Sequence, residues 1–375
     1  MSKKATLILE DGTVYRGYPF GSERTTLGEV VFDTAMTGYQ EMLTDPSFAG
    51  QILAFTYPMI GNYGISEADF ESGHIQVRGI AVREYCHRPS NLHSVRTLDN
   101  YLRDSNIPGI SGIDTRSLTR HVRSRGAMMG ILSTEMRDED ALERLESYPR
   151  YNVTDLVYEV STEQMYQWSA VGDRQTDASA DIKRVSHNIV VVDLGLKYNI
   201  VRILSRLGCR ITIVPYTASL NDILALHPDG VVLSSGPGNP SLLGDVIDVV
   251  KGLIGAKIPL MGICLGHLLI GKASGAEIFK LKFGHHGGNH PVRDLATNKV
   301  YITVQSHGYA IDDSTLQGGF EVSQINLNDG TVEGIYHPDL PLISIQYHPE
   351  ASPGPRDSSY LFDRFLAMAG KPTDA

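Results

Sequence analysis

Cys264 lies in Met261-Gly262-Ile263-Cys264-Leu265-Gly266-His267, between the apolar run Ile258-Pro259-Leu260 and a stretch that reads as helix. The pattern G-x-C-x-G is the thiol counterpart of a nucleophile elbow, where a strand turns sharply into a helix. Glycine on either side permits the tight turn and keeps side chains off the nucleophile. The helix N-terminus that follows offers free amide N–H groups and a positive dipole end, which favour a thiolate. On spacing alone, a small buried core cysteine is the plain alternative. A nucleophilic thiol also needs a base, and the base needs an orienting group. Gln346-Tyr347-His348-Pro349-Glu350 provides both, after a strand-like run. Pro349 keeps His348 out of helix, and residues i and i+2 of an extended segment project to one side. Glu350 is therefore expected to hold one imidazole nitrogen, and His348 to draw the Cys264 proton. Gly236-Pro237-Gly238 leaves its backbone N–H groups unblocked. It is expected to give one oxyanion donor, with the Leu265 N–H as the other; a simple tight turn is its alternative.

Two further motifs carry less. Gly266 to Lys272 has the spacing G-x-x-x-x-G-K, but Ala273 stands where a magnesium-binding hydroxyl belongs, and the interior is apolar. Phe283-Gly284-His285-His286-Gly287-Gly288-Asn289-His290 is histidine-rich without a carboxylate or cysteine, and reads as a glycine-rich turn rather than a metal site.

The elements that position these residues fall into two blocks. Up to about residue 155 the chain looks β-rich with some helix. Strands are predicted at 6–10, 13–16, 28–32, 51–57 and 77–83, with Asp11-Gly12 as a hairpin turn. Helices are predicted at 95–104, 115–125 and 138–147, with Asp114 as an N-cap. Residues 156–187 are polar, weakly periodic and read as a linker, in which Trp168 is a candidate anchor. From Asn188 the rhythm is β-α-β-α, with continuous apolar strands at 189–192, 210–214, 230–233 and 260–263. Such strands imply a parallel sheet covered by helices on both faces, with sites beyond the strand carboxyl ends. Further strands are predicted at 300–305, 320–323 and 342–346, and a closing helix at 358–367. The fold expected is α/β, with a β-rich α+β domain over 1–155 and a mostly parallel sheet over 188–375.

Composition narrows the classes. A hydrophobic share of 42% and a charged share of 20% suit a soluble globular protein. The net charge of −10 argues against a nucleic-acid binder. No signal peptide or membrane-length apolar run is evident. Three cysteines, Cys86, Cys209 and Cys264, are too few for a disulfide framework and fit a reducing cytoplasm. Cys86 and Cys209 read as structural.

The Gly236-Pro237-Gly238 loop, the elbow and His348-Pro349-Glu350, in that order, resemble the class I (triad) glutamine amidotransferases. Val30 to Glu41, Leu43 to Ser47, Thr56-Tyr57-Pro58, Gly61-Asn62 and Asp114-Thr115-Arg116 resemble the amino-terminal domain of carbamoyl phosphate synthetase small subunits. Phe283 to Pro291 and Pro349 to Pro355 are similar to the same family, so the resemblance spans nearly the whole chain. It implies hydrolysis of glutamine to glutamate and ammonia, with Cys264 as nucleophile, His348 as base and Glu350 as its orienter. It implies glutamine contacts from Ser47, Gly236, Gly238, Leu265, Gly308 and Tyr309, the first of these from the amino-terminal domain. It also implies a large synthetase subunit as partner, which holds the ATP and magnesium, so that this chain carries no cofactor or metal of its own. Two positions depart from the family pattern: Leu268 stands where a glutamine usually follows the elbow histidine, and Ser306 where an asparagine precedes His307-Gly308. A lost hydrogen bond to a charged substrate costs about 1.5–3 kcal/mol, so weaker glutamine affinity is expected. Another triad amidotransferase or γ-glutamyl hydrolase, and a regulatory subunit with weakened glutaminase activity, stand as alternatives. Whether the product feeds arginine or pyrimidine synthesis stays open.

Overall fold

The computed structural model describes residues 4–169 and 186–370. The centre of the expected linker, including Gly172 to Asp177, lies outside the described residues. So do residues 1–3, the start of the segment on which the signal-peptide expectation rested. The chain forms two compact units: one runs to Leu156 and includes Lys282–Gly287, and the other comprises Val157–Leu281 and Gly288 onward.

The first unit is built on strands β1 (Ala5–Leu9), β2 (Val14–Gly21), β3 (Thr26–Asp33), β4 (Gln51–Phe55), β5 (Met59–Ile60), β6 (Gly79–Ala81), β7 (Glu84–Tyr85), β8 (Pro108–Ser111) and β9 (Met128–Ser133). Seven of these close into a barrel in the order β1-β2-β8-β6-β4-β3-β9, while β5 and β7 pair separately. Asp11-Gly12 makes the first hairpin, with Gly12 at φ 84° and Ile8 opposite Val14. Closure fits the sequence: Leu7, Leu9, Val30, Ile52, Ala54, Ile110 and Leu132 alternate inward and are fully buried. Four helices pack around the strands: α1 (Tyr39–Thr44), α2 (Leu98–Asp104), α3 (Thr115–Arg125) and α4 (Asp138–Glu146). Asp114 caps α3 by accepting from the Ser117 amide at 2.9 Å, as its position predicts. The helix predicted from residue 95 begins instead at Leu98, because Thr97 takes the cap and Arg96 bridges to Ile65.

The second unit opens with a short helix, α5 (Val157–Val160), and an edge strand, β10 (Tyr166–Gln167). There follow β11 (Asn188–Asp193), α6 (Tyr198–Arg206), β12 (Arg210–Pro215), α7 (Leu220–Ala225), β13 (Gly230–Leu233), α8 (Gly244–Gly255), β14 (Leu260–Ile263) and α9 (Leu265–Ala273). The chain then continues through β15 (Ile278–Asp294), β16 (Val300–Ile311), β17 (Glu321–Asn326), β18 (Val332–Tyr336), β19 (Leu342–Ile345) and α10 (Tyr360–Ala369). These strands form one sheet in the order β10-β12-β11-β13-β14-β19-β18-β17-β15-β16. The run β12-β11-β13-β14-β19 is parallel throughout. Alternate residues of each strand feed opposite cores: Val190, Val192, Val231 and Leu233 join α7, α8 and α9, while Ile189, Val191 and Val232 join α6 and α10. Trp168 anchors its segment as expected, its ring tilted against that of Tyr198 at 5.1 Å and its backbone N–H donating to Ile211 O at 3.0 Å.

The histidine-rich stretch 283–290 is not a turn but lies inside the long strand β15. Its glycines permit local kinks, with Gly284 at φ 73° and Gly287 at φ 142°, so the strand bends without ending.

Candidate active site

The parallel order places four loops side by side at the carboxyl ends of neighbouring strands. Lys197 follows β11, the Gly236 loop follows β13, Cys264 follows β14 and His348 follows β19. Residues far apart in the chain, from Lys197 to His348, thus converge because their strands are neighbours in the sheet.

Cys264 occupies the turn between β14 and α9 with φ 53° and ψ −102°, a strained backbone for a residue with a Cβ. Its amide donates to Ile345 O at 2.9 Å, which ties the elbow to β19. The flanking glycines are dictated by close approach. A Cβ on Gly262 would come 2.8 Å from Gly266 O, and one on Gly266 would come 2.4 Å from Leu233 O. The thiol is buried, and Sγ donates to Ser306 O at 3.6 Å. The Leu265 N–H stands at the first position of α9, where no intrahelical acceptor exists. Gly236 lies against this turn: an added Cβ would meet Leu194 O at 2.0 Å and Leu265 Cδ2 at 2.9 Å. Gly238 needs its glycine for conformation, at φ 89°.

His348 and Glu350 meet as expected, with Nδ1 and Oε1 2.6 Å apart and both side chains buried. The local geometry differs from the extended segment predicted. The Ala351 N–H donates to His348 O at 3.2 Å, so 348–351 is a turn, and Pro349 shapes the turn rather than continuing the strand. Burial, the largest influence, and the nearby Lys197 charge both oppose the charged imidazole, but the charge and hydrogen bond of Glu350, with help from Cys264, prevail, and the His348 pKa is raised to about 10. The Cys264 side chain adds to that rise, although Nε2 makes no hydrogen bond of ordinary geometry. The thiol is near the base without being bonded to it, as in resting sites whose contacts tighten with substrate. For Glu350, burial pushes the pKa up, yet His348 and then Lys197 hold it below its ordinary value.

Residues 7–132 match the family described as carbamoyl-phosphate synthase small chain, CPSase domain, and residues 190–368 match glutamine amidotransferase class-I. The chain is 50% identical over 368 residues to the carbamoyl phosphate synthase small chain of Nostoc sp., covering 96% of this chain and 94% of that one. It is 48% identical over 372 residues to the same-named protein of Staphylococcus saprophyticus, covering 98% and 96% of the two chains. This chain belongs to the carbamoyl phosphate synthase small chain family. Ser306 is buried with its Oγ unpartnered, and Tyr309 is buried nearby on the same strand, β16. Gly308, between them, leaves open space where a Cβ would project. Leu268 packs into the apolar cluster with Leu265 and Leu269 and brings no polar atom. Ser47 lies in the first unit, buried in the short helical turn Pro46–Phe48, with its amide donating to Asp45 Oδ1 at 2.8 Å and its Oγ unpartnered.

The sequence reading missed Lys197, Asn199 and His267. Lys197 is 1% exposed and places Nζ 2.8 Å from Ala351 O and 3.3 Å from Glu350 Oε1. Asn199 Nδ2 donates to the Glu350 backbone carbonyl. Together they fix the turn that carries the carboxylate. The available signal was a lysine just past the end of an apolar parallel strand, where a site was already expected. His267 is fully buried, meets Ser344 Oγ at 2.8 Å through Nδ1, and burial lowers its pKa to about 3, so it is a neutral packing group. Cys209, read as structural, has its thiol pKa pushed up to about 11 by burial.

Proposed function

We propose that this chain is the glutaminase subunit of a carbamoyl phosphate synthase, and that Cys264, His348 and Glu350 carry the hydrolysis. The observation that carries the reading is the buried His348–Glu350 pair beside a cysteine held on a strained strand-to-helix turn. The Cys264 thiolate attacks the side-chain amide carbon of L-glutamine. The oxyanion is held by the Leu265 N–H and by the loop at Gly236 and Gly238. The His348 imidazolium gives its proton to the departing nitrogen, so ammonia leaves and a γ-glutamyl thioester remains. His348 then takes a proton from water, hydroxide adds to the thioester carbon, and glutamate leaves as the thiolate returns. Glu350 holds Nδ1 throughout, so Nε2 is the nitrogen that exchanges protons. Ser306, Gly308 and Tyr309 border the glutamine side of the thiol, while Leu268 contributes only apolar contact.

Ammonia is mostly protonated at neutral pH and then cannot act as a nucleophile. Its use therefore requires delivery to a partner, which the reading identifies as the large synthetase subunit. ATP, magnesium and bicarbonate belong to that partner, and the small chain binds no cofactor of its own. Unbridged cysteines suit a cytoplasmic setting. Among the described residues, no helix is long and apolar enough to cross a membrane.

The test is Cys264→Ser in the complex with the large subunit. Glutamine-dependent carbamoyl phosphate synthesis should fall by at least about 10³-fold while ammonia-dependent synthesis persists. A glutamine-like electrophile should label the wild-type thiol and not the variant. Loss of both activities in a folded complex, or retained glutamine use, would overturn the assignment.

A further inference from the structure

Helix α3 reads Thr-Arg-Ser-Leu-Thr-Arg-His-Val-Arg-Ser-Arg. Thr115, Leu118 and Val122 form its buried face, and the last two pack into the barrel core. The opposite face exposes Arg116, Arg120, Arg123 and Arg125. The i, i+4, i+7 spacing of the first three sets them in one stripe, about 10 Å long at 1.5 Å per residue.

This stripe does nothing for the helix itself. Like charges at such spacing are mildly destabilising, and Arg116 in the first turn opposes the helix dipole. It also makes no ion pairs among the described residues. Elsewhere in the same unit, Arg16, Arg103, Arg137 and Arg150 pair with Asp138, Asp99, Asp140 and Glu10. Among the described residues, none of the four arginines of α3 pairs with a carboxylate. The nearby His121 is turned toward Asp11, at 2.7 Å. Arg123 is braced over the Phe283 ring at 5.8 Å, and an open groove of about 730 Å³ runs past Arg116, Arg120, Arg123 and Phe283, with Asp114, the α3 cap, as its one acidic lining residue.

A chain of net charge −10 that keeps unpaired guanidinium groups in one row has a directional electrostatic feature. An open, elongated row of forked donors matches a row of carboxylates on a protein surface better than a single compact anion. The helix lies within residues 7–132, the part matched by the synthase-specific domain, and outside the amidotransferase match at 190–368. A surface needed for association rather than for glutamine hydrolysis belongs there.

We infer that the Arg116–Arg120–Arg123 stripe docks an acidic face of the large synthetase subunit, an inference that rests on the function proposed above. The stripe steers and orients the partner, so its loss slows association and removes much of the salt dependence.

The experiment uses the full chain and its separately purified large subunit, with affinity and association rate measured at about 50 and about 300 mM salt. The triple reversal R116E/R120E/R123E should weaken the complex by at least about thirtyfold at the lower salt and flatten the salt dependence. Replacement of the same three by lysine should cost no more than about tenfold, because the charge stays while the fork is lost. Ammonia release from glutamine by the isolated chain and its thermal midpoint should be unchanged in both variants, which certifies folding. Unaltered affinity and salt slope in the folded triple reversal would overturn the inference. So would a variant that loses only self-association of the chain. A wild-type chain that forms no complex with the large subunit is a different failure: it removes the proposed function beneath the inference.

Discussion

The His348–Glu350–Lys197 cluster concentrates three ionisable side chains in a dry environment, and its pH behaviour follows from the direction of each shift. His348 titrates above its ordinary 6.5, at about 10, so its stabilising contribution is full below 6.5 and is lost as pH rises through about 10. Glu350 titrates below its ordinary 4.5, so its contribution is full above 4.5 and is lost as pH falls through the depressed value. Both contributions are complete only between 4.5 and 6.5. Urea unfolding of wild type and His348→Gln should therefore differ most near about pH 5–6 and converge toward about pH 10. A stability difference that grows with pH would contradict the arrangement. Lys197→Met should cost about 1–3 kcal/mol, because the buried Ala351 carbonyl loses its donor while Glu350 keeps His348 as a cationic partner. Lys197 touches Glu350 rather than the thiol, which makes it a positioning residue.

At the scale of elements, the elbow is a packing problem as much as a chemical one. Gly266 has no room for a methyl group, since a Cβ would sit 2.4 Å from the Leu233 backbone oxygen, and backbone cannot swing aside. Gly266→Ala should destabilise the protein by at least about 2–3 kcal/mol by forcing α9 off β13. Gly255→Ala, at the exposed end of α8 with nothing within 4 Å of the new methyl, should raise the thermal midpoint slightly, by about 0.5–1 kcal/mol of stability. Equal midpoints for the two variants would refute this contrast. The elbow and the β-α-β rhythm were legible in the sequence because both depend on local patterns: continuous apolar strands, and glycines spaced around a cysteine. The Nδ1–Oε1 bond was legible for the same reason, though the segment forms a turn rather than a strand. Lys197 was not, since its role depends on β11 lying two strands from β14, and sheet order is not written in local spacing.

At the scale of the whole molecule, the features hidden from the sequence are those of long-range pairing. Barrel closure brings β9 against both β1 and β3, at sequence separations that leave no local trace. The strand β8 was not predicted, since Pro and Gly are poor strand formers, yet Gly109 is forced by Phe20, whose ring a Cβ would meet at 2.6 Å. The most distant contribution is the segment Lys282–Gly287, which belongs with the first unit although it lies beyond Leu156 by more than a hundred residues. There Lys282 O accepts from the Ala127 N–H at 2.8 Å, and Phe283 stacks on Phe32 at 6.0 Å beside the barrel core. A ring that is only partly buried makes fewer contacts than a core phenylalanine. Phe283→Ala should accordingly cost about 1–3 kcal/mol, below the 3–5 kcal/mol range for fully buried aromatic truncation. Its effect should be local: amide exchange should quicken at Ala127 and along β9, while β11, β13 and β14 keep their protection. Uniform loss of protection through both units would show that the segment's contribution is not confined to the first, and unchanged exchange at Ala127 would show that the ring does not hold that barrel wall.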